Sequence, residues 1–328
     1  FILVKVDFRK ELPRYHGPVD PKLQLDFGGY IRPDPYLIWT FTPNEPYTRN
    51  RRINAAGFIG EQAAADKPEM TKRIFCLGGS TTSLASPAYP DLLQQRLNAE
   101  AILGNTWEVY NCAVDRYTVS QGLAQLERQI LANPTNQPDI VTVCYGWDDH
   151  WRGVVPDSLR MEAPETSERA SRLNRMQERR VVQLITFNRK LDRISARDDN
   201  PDGLRVSRKE YQWALVRIVR AVKAAGARPV LVTSARGDLA EALVAKGLAE
   251  SVEQARNLHD AYNRITREVC EEEGAGLIDL AMWSEEDASS RFVADGLTPG
   301  ALVEADGIHL SGQGHQLLAD LLVDYIRK

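Results

Sequence analysis

No stretch of the chain approaches the ~20 consecutive apolar residues that a membrane-spanning helix needs. Cysteine is scarce: there are four in 328 residues, none in a Cys-x-x-Cys pair. That is too few for a disulfide-stapled scaffold. There is no surplus of positive charge either. Lys and Arg total 41 against 45 Asp and Glu, a net charge of −4. A protein held on nucleic acid by its overall field is normally basic, so no nucleic-acid partner is expected. Neither a G-x-G-x-x-G fingerprint nor a lysine at P-loop spacing is present, which leaves nucleotide binding without support. No His, Cys, Asp and Glu set shows metal-ligand spacing, so no metal site is expected. What is there is ordinary: 43% apolar and 26% charged residues, close to globular averages. That excludes a disordered chain, a collagen and a coiled coil, and leaves an enzyme or a binding domain.

The chain divides by texture. Residues 1–70 are rich in Pro, Tyr and Arg and show little periodicity. Prolines punctuate them too often for long helices, which predicts an extended arm with a few short strands. The opening octet FILVKVDF reads as a first strand or as the stub of a signal or membrane segment. Membrane association is expected only through that segment. Residues 71–328 read as an α/β domain. Five apolar runs (73–78, 107–114, 139–146, 228–234 and 276–280) alternate with amphipathic segments. The runs are continuously apolar, as strands of a parallel sheet covered on both faces are. Helices are predicted over 88–101, 118–132, 207–225, 251–273 and 312–326. Ser207 with Glu210 and Ser251 with Gln254 form capping boxes, and Gly226 and Gly274 stop the helices that follow them. The fold class this predicts is flavodoxin-like: a three-layer α/β/α arrangement with a five-stranded parallel sheet. Residues 152–204 exceed a normal crossover. They read as a helical insertion beside the third strand's C-terminal end, a candidate lid.

Ligands of an open α/β sheet bind outside the carboxyl ends of the strands. After the first run comes Gly78-Gly79-Ser80-Thr81-Thr82. Two glycines allow a sharp turn that exposes Ser80, a position for a nucleophile or for an anion cradle; a plain Gly-Ser-Thr turn is the bland alternative. Before the last helix comes Asp306-Gly307-Ile308-His309-Leu310-Ser311. A serine hydroxyl needs a base to take its proton, and the base needs a partner that holds its tautomer. Asp306 and His309 can supply both; a surface Asp-Gly turn is the bland alternative.

Together, GGSTT and DGIHLSGQGH resemble the first and last blocks of the SGNH (GDSL-type) hydrolase family, over about residues 72–326. The resemblance implies a serine hydrolase or esterase with Ser80 as nucleophile, His309 as general base and acid, and Asp306 orienting the histidine. It implies a small-molecule or glycan ester as substrate, and neither metal nor organic cofactor.

Two middle blocks depart from the family pattern. The second block's oxyanion-hole glycine corresponds to Arg116 in the segment Asn111-Cys112-Ala113-Val114-Asp115-Arg116, or to Ala113 in a shifted register. The third block, Gly-x-Asn-Asp in the family, reads Gly146-Trp147-Asp148-Asp149. Asp148 thus stands where a side-chain amide would donate to the oxyanion, and an ionised carboxylate donates nothing. Loss of one such donor typically costs ~10²–10³ in rate. Two arrangements reconcile the exchange: Asp148 protonated by burial, or Asp148 paired with Arg116, whose guanidinium then meets an anionic substrate group.

Around these residues, Gly79 belongs to the substrate side of the turn, and Asp149 is expected to fix its own turn by accepting backbone N–H groups. Trp147 and Trp151 read equally as pocket lining and as packing. His150 is expected near the pocket mouth as a supporting or surface residue, with a second catalytic histidine as the alternative; Arg205 is expected at the surface, with a place facing the site as the alternative; and His315 is expected in a structural role. Cys76, Cys112 and Cys144 fall on three strand runs and read as core. Three functions follow: an SGNH-type esterase, the same scaffold turned to acyl transfer or to lyase or isomerase chemistry on an anionic small molecule, and a non-catalytic binding module. Oligomeric state and compartment are left open.

Overall fold

The computed structural model describes residues 29–48, 50–153, 156–161, 200, 202–237, 242–245, 247–283 and 301–328. Most of the predicted insertion and the first part of the predicted arm lie outside the described residues.

The first described elements are two short antiparallel hairpins. β1 (Ile31–Asp34) pairs with β2 (Ile38–Phe41), and β3 (Pro46–Thr48) with β4 (Arg51–Arg52). Asp34 closes the first turn by accepting the N–H groups of Tyr36 and Leu37.

The main sheet has five parallel strands: β5 (Thr71–Gly78), β6 (Thr106–Asn111), β7 (Ile140–Cys144), β8 (Arg228–Val232) and β9 (Gly276–Ile278). Their spatial order is β6-β5-β7-β8-β9. Counted in chain order within the sheet this is 2-1-3-4-5, the flavodoxin-like order. Each strand lies within one of the five apolar runs or overlaps it by a residue or two, because a strand buried on both faces has no polar alternation.

Side chains of successive residues go to opposite faces. Phe75, Leu77, Val141, Val143 and Leu231 join one core cluster. Ile74, Cys76, Val230, Val232 and Ile278 join another. The second face is covered by α2 (Tyr89–Ala99) and α8 (Gly312–Arg327), which pack on each other. The first is covered by α3 (Val119–Gln125), α5 (Arg208–Ala224) and α7 (Val252–Glu273). Trp39, Phe41, Ile53 and Phe58 from the hairpin region enter that same core. Three short α-helices are also described: α1 (Ser80–Ser83), α4 (Asp157–Arg160) and α6 (Ala242–Ala245).

The capping predictions meet their geometry. Glu210 N donates to Ser207 Oγ and Gln254 N to Ser251 Oγ, while Gly274 ends α7 in the left-handed conformation at φ 62°. One helix differs from expectation. The segment predicted as a single helix over 118–132 is α-helical only to Gln125 and continues as a π-helical turn, Leu126–Leu131. Leu126 and Ile130, four residues apart on that turn, are both buried.

Candidate active site

Three loops leave the carboxyl ends of the adjacent strands β6, β5 and β7 and converge. The middle one carries Ser80, the first residue of α1 (Ser80–Ser83). Glycine is required before it by space. A Cβ on Gly78 would stand 2.3 Å from Thr82 Oγ1, and one on Gly79 would stand 2.9 Å from Asp148 Oδ2. The turn is therefore closed on both sides, and it delivers Ser80 to the strand end with 8% exposure.

The histidine arrives on the loop before α8. That loop is held by an antiparallel bridge between Val303 and Leu310 and turns at Gly307, φ 74°. Asp306 Oδ1 accepts the N–H groups of Ile308 (2.9 Å) and His309 (3.0 Å), a local turn that also aims the other oxygen. Asp306 Oδ2 lies 2.5 Å from His309 Nδ1, and His309 Nε2 lies 2.9 Å from Ser80 Oγ. These partners assign the tautomer, with the proton on Nδ1 and Nε2 free to accept. Partial burial of Asp306 opposes its ionisation, but the hydrogen bonds from the His309 ring and from the two backbone N–H groups outweigh it and hold the carboxyl below its usual range.

The loop after β6 contains a tight turn in which Val114 N donates to Gly78 O (3.1 Å) and Tyr117 N to Val114 O (3.1 Å). Arg116 sits in this turn at φ 61°, the left-handed region where glycine is favoured. The backbone there thus has a conformation that favours glycine, with an arginine side chain on it. Ala113, the alternative in the shifted register, gives its N–H to the side chain of Asn111.

The loop after β7 places Asp148 and Asp149 in different environments. Asp149 accepts N–H groups from Val119 (2.8 Å) and Gly146 (2.9 Å), tying this loop to the start of α3. Asp148 has its Oδ2 against Gly79, while Oδ1 is enclosed and has no hydrogen-bond partner among the described residues. Burial pushes the Asp148 carboxyl up to about 6, against the pull of Arg205, Arg116 and His309. Burial likewise raises Asp149, to about 7, against its two amide donors.

Arg205, expected at the surface, is 1% exposed. It donates to Asp157 Oδ2 at 2.7 Å and to the carbonyl of Arg116 at 2.9 Å, and its Nη1 stands 3.8 Å from Asp148 Oδ1. Burial works against its charge, but Asp157 and Asp148 outweigh it and keep the guanidinium's pKa above the ordinary arginine value. It joins the Arg116 turn to α4, a bond between segments that the local sequence around Arg205 does not announce. His150 also departs from expectation. It is 2% exposed and packs inward on His259, with Nε2 3.4 Å from His259 Nδ1. Burial and the neighbouring His259 hold it well below the usual histidine range. Its ring lies 5.3 Å from that of Trp147, which joins Trp151, Leu248 and Ile308 in an apolar cluster. Trp147 stacks on His259 at 4.0 Å and donates Nε1–H to the carbonyl of Ala235. His315 is buried and accepts the N–H of Tyr89.

The hairpins contribute more than sequence reading suggested. Asp115 Oδ1 accepts from Ser83 Oγ of α1 (2.5 Å) and from Tyr47 OH (2.9 Å). Arg51 donates to the carbonyls of Ser83 (3.0 Å) and Ala85 (2.8 Å), and Tyr117 OH to that of Trp39 (2.6 Å). The Ser80 turn and the Arg116 turn are thus braced from one side by Trp39, Tyr47 and Arg51. Away from these loops, a cavity of about 340 Å³ lies between the starts of α5 and α7, lined by Asp202, Arg208, Ser251 and Gln254 among others. None of the residues that converge on Ser80 lines it.

A model of the GDSL-like lipase/acylhydrolase family matches residues 76–317. None of the curated proteins matches the chain. Among solved structures, the lipase/acylhydrolase from Enterococcus faecalis is 17% identical, with 78% of this chain and 95% of that chain covered at a TM-score of 0.48. The acetylxylan esterase from Geobacillus stearothermophilus is 20% identical, with 78% and 94% covered, also at 0.48. An α/β hydrolase from the metagenome of Lake Arreo, Spain, is 18% identical, with the same shares and TM-score.

Proposed function

Because the chain belongs to the GDSL-like lipase/acylhydrolase family and is an ester hydrolase, we propose that it cleaves a small acylated molecule or an acyl sugar through an acyl-enzyme on Ser80. The observation that carries this reading is the continuous chain from Ser80 Oγ to His309 Nε2 and from His309 Nδ1 to Asp306 Oδ2, at 2.9 and 2.5 Å. Ser80 Oγ attacks the ester carbonyl carbon while His309 Nε2 takes its proton. Asp306 holds the ring in the required tautomer and stabilises the imidazolium. The tetrahedral intermediate collapses, the C–O bond to the alcohol breaks, and His309 returns the proton to the leaving alkoxide. Water then attacks the acyl-enzyme with His309 again as base, releasing the acid and restoring Ser80.

The oxyanion needs donors aimed at it. The backbone N–H groups of Ser80 and Arg116 are assigned here. Left-handed backbone at Arg116, where the family has glycine, supports the second of these. A fluorophosphonate probe tests the mechanism. Labelling at Ser80 that disappears in His309→Ala supports it, and absence of labelling in the folded protein rejects the acyl-enzyme.

A second reading is favoured by the charges at Asp148, Arg116 and Arg205. The same acyl-enzyme then passes its acyl group to a hydroxyl acceptor instead of water, or the scaffold acts as a lyase or isomerase on an anionic small molecule. Product analysis with an alcohol acceptor separates transfer from hydrolysis. A binding module without turnover has no need of the aligned Ser80, His309 and Asp306.

A further inference from the structure

We propose that Asp148 works as a neutral carboxylic acid that donates its O–H to the oxyanion formed at Ser80, replacing the amide donor of the family. The inference rests on the Ser80 acyl-enzyme reading and adds a catalytic residue to it.

Position comes first. Asp148 is 5% exposed, and its Oδ2 stands 2.9 Å from the point where a Gly79 side chain would begin. The carboxyl therefore forms the wall beside the residue that precedes the nucleophile. The donor supply comes second. A buried carboxylate needs hydrogen bonds on both oxygens. Asp148 Oδ1 is enclosed and has none among the described residues, and Arg205 Nη1 is 3.8 Å away, beyond hydrogen-bond range. Arg205 is committed elsewhere, to Asp157, the carbonyl of Arg116 and Gln121 Oε1. Asp149, next in the chain, accepts two backbone N–H groups. Burial raises both adjacent carboxyls, but Asp149 has a backbone donor on each oxygen, whereas Asp148 has none on Oδ1 among the described residues.

The charged groups facing Asp148 come from several elements. Arg205 precedes α5, Arg116 and Asp115 lie on the loop after β6, His309 on the loop before α8, and Asp149 is its chain neighbour. Burial pushes Asp148 upward most strongly and Asp115 adds to it, while Arg205, Arg116 and His309 pull downward, and the balance lies at about 6. Proton accounting in the reaction is unchanged. The Ser80 proton goes to His309 and then to the alkoxide, and Asp148 keeps its own proton while sharing it with the oxyanion. As the pH rises through about 6, the donor becomes a repelling charge. His309, by contrast, has to be uncharged to act as base.

The test compares kcat for p-nitrophenyl acetate between pH 5 and 8 in the wild type and Asp148→Asn, with background hydrolysis subtracted. A single titration near 6 leaves ~1% of Asp148 protonated at pH 8. The wild-type rate is therefore expected to fall above pH 6 relative to the variant, with Asp148→Asn ahead by up to ~10²-fold at pH 8, the order of one oxyanion donor. Parallel profiles for the two proteins overturn the proposal. So does a wild-type profile that rises steadily from pH 5 to 8, which needs no variant to be folded. If Ser80 labels with a fluorophosphonate while the profiles run parallel, the acyl-enzyme stands and only the role of Asp148 falls. If Ser80 does not label, the acyl-enzyme itself fails.

Discussion

Replacing Asp148 by Asn should stabilise the protein at alkaline pH and change little in acid. The side chain is 5% exposed, its carboxyl titrates at about 6, and the ordinary value is 3.8. Each pKa unit is worth ~1.4 kcal/mol. The sign follows from the direction of the shift. A carboxyl raised in the folded state costs nothing below pH ~4, where folded and unfolded chains both carry the proton. The cost appears as pH rises past 3.8, where the unfolded chain ionises first, and it is complete above about 6. At pH 8 the folded state bears about 3 kcal/mol, the product of roughly two units and that conversion. Asn has nearly the same shape and no charge, so the variant escapes this penalty. Urea unfolding of the wild type and Asp148→Asn at pH 4 and pH 8 measures it. The expected difference is near zero at pH 4 and about 3 kcal/mol in favour of the variant at pH 8. An equal gain at both values would show that shape or hydrogen bonding is responsible. A loss at pH 8 would refute the reasoning outright, because it would mean that pairing with Arg205 and Arg116 outweighs burial.

Asp306→Asn removes the group that fixes the His309 tautomer, and kcat for an activated ester should drop by ~10⁴ with the fold retained, read by steady-state kinetics beside circular dichroism. Arg205→Met removes the 2.7 Å ion-pair partner of the buried Asp157 and leaves it the longer contact to Arg160 Nη1 at 3.6 Å, and urea unfolding should show a loss of ~3–5 kcal/mol; an unchanged midpoint would mean that this network is not structural. Arg116→Gly relieves a left-handed backbone at φ 61° and should stabilise by ~1 kcal/mol with kcat for a neutral ester kept. A rise in KM confined to anionic substrates would instead assign the guanidinium to substrate binding. Tyr47→Phe leaves Asp115 with Ser83 alone and should lower kcat more than it raises KM, together with a stability loss of ~1 kcal/mol.

Much of the molecule was legible in local pattern. The five strands stood out because a covered parallel strand buries both faces and so reads as an unbroken apolar run. The caps at Ser207 and Ser251 stood out because a helix end has donors that only certain side chains satisfy. Ser80, Asp306 and His309 were legible because a glycine turn and an Asp-x-x-His loop each carry their geometry within a few residues. The departures from the family pattern at Arg116 and Asp148 were visible for the same reason.

Other features depended on residues far apart in the chain. Arg205 has no local signature, since its meaning lies in Asp157, 48 positions away, and in the carbonyl of Arg116, 89 away. His150 was placed at the pocket mouth because it follows a strand end. Tertiary packing turned it inward, where Trp147 and His259 cover it. Tyr47 and Arg51 looked like parts of a non-periodic arm, and only the fold brings them beneath the nucleophile turn. Sequence alone thus determined the alternation of strands and helices and the order along the chain of the candidate groups Ser80, Asp306 and His309, because short-range sterics and hydrogen bonding govern these. Tertiary structure decided which charges share a low-dielectric space, and hence whether Asp148 holds a proton. That balance sums burial and contributions from three other loops across distances that no local motif encodes.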